Sequence, residues 1–215
     1  MRIYLIITLT VLTTYIATLI YLLFSVAGFA VYWQYRAKQP PAHQELVYVA
    51  LGDSAAQGVG AWQANSGYVG QFAKKLHAST GRPVHVINLS KSGSKIKGAV
   101  NEQLPLLKKY KPDIVTIDIG SNDIIGFNEQ QFYENMKQLI DRLPKGTLVA
   151  DIPYFGGRTQ LPLFGSGQAE KNVVRANLIL KKLMLGRPLK QVKIHQATSK
   201  LRGWLWNYGA DYFHP

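Results

Sequence analysis

The chain of 215 residues contains no cysteine. That absence excludes a disulfide-stapled scaffold, a zinc ribbon, a cysteine nucleophile and a lipid-modified N-terminal cysteine, and it leaves the redox compartment open. Acidic residues are scarce: 12 Asp and Glu stand against 25 Lys and Arg, and none occurs before Glu45. Charge of either sign is missing from residues 3–35, a run of 33 that also lacks histidine. Repeats and low-complexity tracts are missing throughout, which argues against solenoids and arrays. Hydrophobic residues make up 47% of the chain, the share of a globular protein, so intrinsic disorder is excluded too.

What is present divides in two. The uncharged run exceeds the about 20 apolar residues that cross a bilayer, and Tyr32, Trp33 and Tyr35 before Arg36 make an interfacial aromatic belt at its end. The small residues between Ser25 and Ala30 do not form an Ala-x-Ala cleavage pattern, so the expectation is an uncleaved anchor over residues 1–38, with residues 3–35 as the membrane contact. Arg2 and the amino terminus balance Arg36 and Lys38, a near tie for the positive-inside rule. The domain is expected on the extracytoplasmic side.

Pro40-Pro41 lies in a linker over 39–44, and residues 45–215 form the expected soluble domain. Residues 39–215 carry 22 basic and 12 acidic groups, a net charge of +10. These basic residues are dispersed in small groups such as Lys74/Lys75 and Lys108/Lys109/Lys111, and no nucleic-acid partner is expected. Beside a membrane the same charge draws a domain toward anionic lipid heads or cell-wall polymers.

Apolar runs predict strands over 46–51, 84–89, 113–119 and 147–152, and alternation of apolar and polar residues predicts a further strand over 189–195. Amphipathic stretches predict helices over 66–80, 95–110, 128–143 and 168–185, with Pro105 kinking or dividing the second. Buried strands alternating with helices predict an α/β three-layer sandwich around a parallel sheet. In such a sheet ligands collect at the carboxyl ends of the strands. There the chain offers Gly52-Asp53-Ser54, Ser90-Lys91-Ser92-Gly93, Gly120-Ser121-Asn122-Asp123, a Gly-rich loop over 153–167, and the tail Asp211-Tyr212-Phe213-His214-Pro215.

A serine nucleophile needs a base, an acid to orient the base, and donors for a developing oxyanion. Ser54 is the candidate nucleophile, His214 the candidate base, and Asp211, three residues upstream, its candidate partner. The backbone N–H groups of Ser54 and Gly93 and the Asn122 amide are the candidate oxyanion donors. Each piece alone has a plain structural reading: a turn at Gly52-Asp53-Ser54, a left-handed turn at Gly93, a helix cap at Asn122 and Asp123, a surface histidine at His214. Their common edge and chain order carry the catalytic one.

Other patterns fail. Gly58-Val59-Gly60 starts a dinucleotide fingerprint that no third glycine completes, and Gly93 to Gly98 is followed by Ala99 rather than the lysine of a phosphate loop. No Gly-x-Ser-x-Gly elbow occurs. His43, His77, His85 and His195 lack metal-ligand spacing. Lys91, Lys95 and Lys97 flank the candidate oxyanion glycine and read either as a solvated loop or as a preference for an anionic substrate. Trp204, Trp206 and Tyr208 read as sheet-edge packing or an acyl wall, and 155–165 as a lid or a solvated connection.

The blocks Val49 to Ser54, Asn88 to Gly93, Pro112 to Val115 with Gly120 to Asp123, and Asp211 to Pro215 resemble the four ordered sequence blocks of the GDSL-type, or SGNH, hydrolases. The resemblance runs from about Tyr48 to Pro215. It implies a flavodoxin-like three-layer fold and a serine hydrolase of esters or thioesters, with no metal or organic cofactor. It implies Ser54 as nucleophile and first oxyanion donor, Gly93 and Asn122 as further donors, His214 as base and Asp211 as its partner. Two positions depart from the family pattern: the chain stops at Pro215, where members continue into a helix, and Tyr212 stands where a small residue is usual. The domain is therefore expected to be shortened at its C-terminal helix. The alternative is a non-catalytic module of this fold that binds an acylated glycan or lipid at the membrane surface.

Overall fold

The computed structural model describes residues 2–155 and 166–200. It begins with one long helix, α1 (Arg2–Lys38), and continues as β1 (Leu46–Gly52), α2 (Ser54–Gln57), α3 (Tyr68–Thr80) and β2 (Val84–Asn88). A broken helical stretch follows: α4 (Ile96–Gly98), a π-helical turn (Ala99–Gln103), a 3-10 turn (Leu104–Leu106) and α5 (Leu107–Tyr110). Then come β3 (Ile114–Asp118), a 3-10 turn (Ser121–Asp123), α6 (Glu129–Arg142), β4 (Leu148–Ala150), α7 (Ser166–Met184), β5 (Lys190–Val192) and α8 (Ile194–Ser199).

The five strands form one parallel sheet in the order β2-β1-β3-β4-β5. Central β1 is almost wholly buried, which is why it reads as a continuous apolar run rather than an alternation. Its side chains still alternate between two cores. Val49 and Leu51, with Ile87, Val115 and Ile117, pack on one face beneath Ile96, Val100, Leu104, Met136, Leu139, Val173 and Leu180. Tyr48, Ala50 and Val86 pack on the other face with Val69 and Ala73 of α3 and Trp33 of α1. The buried Tyr48 hydroxyl pairs with Thr116 Oγ1 at 2.8 Å, which satisfies both groups in an apolar layer.

The three-layer α/β expectation therefore holds, and its departures have local causes. Pro105 lacks an N–H and crowds the preceding turn, so the 95–110 helix changes pitch around it. Asn128 caps α6 through its side chain, which accepts the Gln131 N–H. β4 ends at Ala150 rather than 152 because the Asn177 side chain takes over the backbone of Ile152, accepting its N–H at 2.8 Å and donating to its carbonyl at 2.9 Å. β5 ends at Val192 and the chain turns into α8, where the buried Asp151 carboxylate accepts the His195 N–H at 2.7 Å. α8 starts at Ile194, inside the 189–195 stretch that the sequence predicts as strand.

The first turns of α1 are exposed on all sides. From Tyr21 onward a stripe of side chains spaced three or four apart is covered, including Ser25, Phe29, Trp33 and Ala37. Trp33, read from the sequence as part of an interfacial belt, is only 3% exposed and donates its indole N–H to the Gln57 carbonyl at 2.9 Å. The second half of α1 thus belongs to the packing of the domain.

Candidate active site

Ser54 stands at the turn from β1 into α2, and the backbone there is held from several directions. Gly52 has φ +148, and a Cβ added to it would lie 2.2 Å from the Asp118 carbonyl oxygen, so only glycine lets β1 approach β3 this closely. Gln103 reaches across from the π-helical turn: its Oε1 accepts the Gly52 N–H and its Nε2 donates to the Gly52 carbonyl, both at 2.8 Å. The Lys91 N–H donates to that same carbonyl at 3.1 Å, and the Asp53 N–H donates to Asp118 O at 3.2 Å.

Asp53 is 2% exposed and caps α2, its Oδ1 accepting the Ala55 N–H at 3.1 Å. Its Oδ2 accepts one N–H of the Asn122 amide at 3.2 Å, and the other N–H of that amide goes to the Ser94 carbonyl at 3.0 Å. Asn88, at the end of β2, donates to the Ala56 carbonyl at 2.7 Å and accepts both the backbone N–H and the hydroxyl of Ser90. Asp123 Oδ2 accepts the Ile96 N–H at 3.0 Å. Burial raises the Asp123 pKa against the lowering effects of that bond and of nearby Lys95.

These bonds join the loops after β1, β2 and β3. They bring together the half-buried Ser54, the Gly93 turn beside Ser94, and Asn122, which the sequence assigned to one site. Gly93 has φ +75 and open space where a Cβ would stand. Such an arrangement can set a hydroxyl beside convergent N–H donors, the requirement of acyl transfer. Lys91 pairs with Glu102 at 2.9 Å on the surface, so its charge is met within the protein. Asp211 and His214, with Trp204, Trp206, Tyr208 and Tyr212, lie outside the described residues, as does most of the 155–165 loop.

Gln103, Asp53 and Asn88 do the positioning, and no role was read for them from the sequence. Gln103 did leave a signal. It falls on the apolar stripe of Ile96, Ala99, Val100, Leu104 and Leu107, where a polar side chain needs a buried partner. Another missed group anchors the end of β4: Glu170 accepts the Phe155 N–H at 2.8 Å and pairs with His195 Nε2 at 2.8 Å. Thr198 accepts the Tyr154 N–H at 2.9 Å. His195, expected to have a surface or core role, serves to hold this edge. Among the described residues no group of His, Asp and Glu is placed to hold a metal ion.

A parallel sheet with its polar loops gathered at the carboxyl ends of β1, β2 and β3 is the plan of the SGNH hydrolases. Residues 50–215 match the GDSL-like lipase/acylhydrolase family, and the chain belongs to that family. Over 95 residues it is 34% identical to the spore germination lipase LipC of Bacillus licheniformis, a match spanning 43% of this chain and 44% of that protein. Among solved structures it is similar to TesA, with TM-score 0.59 and 22% identity over 79% of this chain and 88% of that one. A lipase/acylhydrolase from Enterococcus faecalis gives TM-score 0.58 and 22% identity over 79% and 86%. AlinE4, an SGNH-hydrolase family esterase, gives 0.57 and 18% over 76% and 83%. These structural likenesses establish the fold.

Proposed function

We propose that the protein is a membrane-anchored serine esterase that hydrolyses carboxylic or thio esters through an acyl-Ser54 intermediate. The observation that carries this reading is the hydrogen-bonded junction of Asp53, Ser94 and Asn122, which sets the Ser54 turn against two candidate oxyanion donors. In the first half-reaction His214 takes the hydroxyl proton as Ser54 Oγ bonds to the carbonyl carbon. The carbonyl electron pair moves onto oxygen, which receives the N–H groups of Ser54 and Gly93 and the Asn122 N–H that donates to the Ser94 carbonyl in the structure and turns to the oxyanion as substrate binds. The tetrahedral species collapses, the carbon–oxygen or carbon–sulfur bond to the leaving group breaks, and His214 returns the proton to that group. Water then attacks the acyl-enzyme by the same route, with Asp211 holding the imidazole in the required tautomer.

Membrane anchoring is supported by α1, which is long and apolar enough to cross a bilayer. Retention of the second half of the helix is supported by its packing: cleavage between Tyr21 and Trp33 would strip Tyr21, Ser25 or Phe29 from the domain surface they cover.

The test is hydrolysis of a short-acyl aryl ester by the purified full chain in detergent, beside Ser54→Ala. Loss of the nucleophile should lower kcat by about a thousandfold or more. Equal rates for the two proteins would sink the assignment. Labelling by a fluorophosphonate probe, abolished in Ser54→Ala, separates the enzyme from a binding module of the same fold.

A further inference from the structure

The helix α1 leaves the domain in a definite direction. Its last residue, Lys38, is joined through residues 39–45 to Leu46, the first residue of β1, so it ends at the amino edge of the sheet. Trp33 sits in the core beside Tyr48 and Val86. Tyr21 lies about 18 Å back along the helix axis. Its hydroxyl donates to the Ala61 carbonyl at 2.5 Å, and its ring is 6.3 Å from that of Trp62. Residues 58–63 follow α2 at the carboxyl edge, the edge that carries Ser54. α1 therefore runs antiparallel to β1, and its uncovered half projects from the catalytic edge rather than from the opposite one.

The uncovered half has the length of a bilayer. From Arg2 to Ile20 every side chain is exposed except the half-buried Thr18. At 1.5 Å per residue the segment is about 28 Å long, against about 30 Å of hydrocarbon. At its foot stand Trp62, 85% exposed, and the exposed Leu23 and Phe24, beside Tyr21. An aromatic pair with apolar neighbours at this height is the pattern of a membrane interface. The exposed Lys95 and Lys97, just beyond Gly93, add positive charge to the same edge, as anionic headgroups favour.

We propose that the carboxyl edge of the sheet faces the bilayer that α1 spans, and that the substrate is an acyl ester resident in that bilayer, met by Ser54 at headgroup level with its chain still in the leaflet. The proposal rests on the anchored-esterase reading above. It makes α1 a spacer of set length: seventeen or so docked residues fix the domain, and the remainder fixes its height over the lipid.

The test uses the full chain in vesicles of phosphatidylcholine and phosphatidylglycerol. A polar helical heptad inserted between Ile20 and Tyr21 lifts the domain about 10 Å while leaving every docked contact in place. Two substrates are compared, a water-soluble short-acyl aryl ester and a fluorescent acyl-phosphatidylglycerol in the vesicle. The inserted variant should keep its rate on the soluble ester and lose about tenfold or more on the vesicle ester. Retention of the vesicle rate overturns the proposal. Lipids brominated near the headgroup should also quench a fluorescence component that disappears in Trp62→Phe. No such component overturns it as well. Quenching can be read in Ser54→Ala, so failure of the orientation is distinguished from failure of the esterase reading, which shows as soluble-ester hydrolysis independent of Ser54.

Discussion

The two ends of the sheet's carboxyl edge are both built around buried carboxylates, yet they are organised differently. At the β1–β3 end the bonds cross between separate segments: Asp53 with the Asn122 side chain, Asn122 with the Ser94 carbonyl, Gln103 with the Gly52 backbone. At the β4–β5 end, side chains from α7 and α8 bond the backbone of a single segment: Asn177 at Ile152, Thr198 at Tyr154, Glu170 at Phe155. The first pattern fixes loops relative to each other, which a catalytic constellation requires. The second fixes a segment to its supporting helices, which serves the fold and steadies α8, the last described element before Asp211 and His214.

That contrast predicts a separation between activity and stability. Asp53→Ala should have the largest effect, because it removes the α2 cap and one of the two acceptors that hold the Asn122 amide. Stability should fall by about 2–4 kcal/mol and kcat on a soluble ester by about a hundredfold, measured by urea denaturation and steady-state kinetics. Gln103→Leu fits the apolar stripe but orphans the buried Gly52 N–H. A loss of about 1–3 kcal/mol is expected, with kcat down about tenfold as the Ser54 turn loosens. Glu170→Gln tests the other end. It should cost about 1 kcal/mol and leave kcat within about twofold, and a drop as large as that of Asp53→Ala would erase the distinction between the two ends. Asp141→Asn, far from both, should do least. Lys137 first, then Arg187, lower the Asp141 pKa from its ordinary 3.8. Its small stabilisation is therefore present above the ordinary carboxylate range and lost as pH falls through the lowered native value. Thermal melts of the two proteins should converge in acid and differ slightly at neutral pH.

Much of this was readable in advance, for reasons that differ by residue. The strands announce themselves as apolar runs because a central parallel strand is buried on both faces, and Ser54, Gly93 and Asn122 could be placed at one edge because strand ends alternate with helices in a fixed way. Gly52 was visible as a glycine, but the reason for it, the approach of the Asp118 carbonyl, depends on the register of β1 against β3. The short β4 was not readable, because its last backbone pair is taken by Asn177, some 25 residues away in sequence. Nor was α8, whose start depends on a carboxylate from the neighbouring strand end.

The sequence by itself determined the parallel α/β plan, the placing of Ser54, Gly93 and Asn122 at one sheet edge, the family, and the existence of one long helix with an uncharged run over residues 3–35. Those follow from local composition and chain order, which periodicity and turn chemistry report directly. Only the tertiary structure decided which part of that helix is covered. Hydropathy treats Leu9, Leu23 and Phe29 alike, since transfer out of water is favourable whether the new surroundings are lipid or protein. Trp33 is buried because Tyr48, Val86 and the Gln57 carbonyl are there to receive it, and the direction in which the uncovered half points follows from β1 having its first residue at the opposite edge from Ser54.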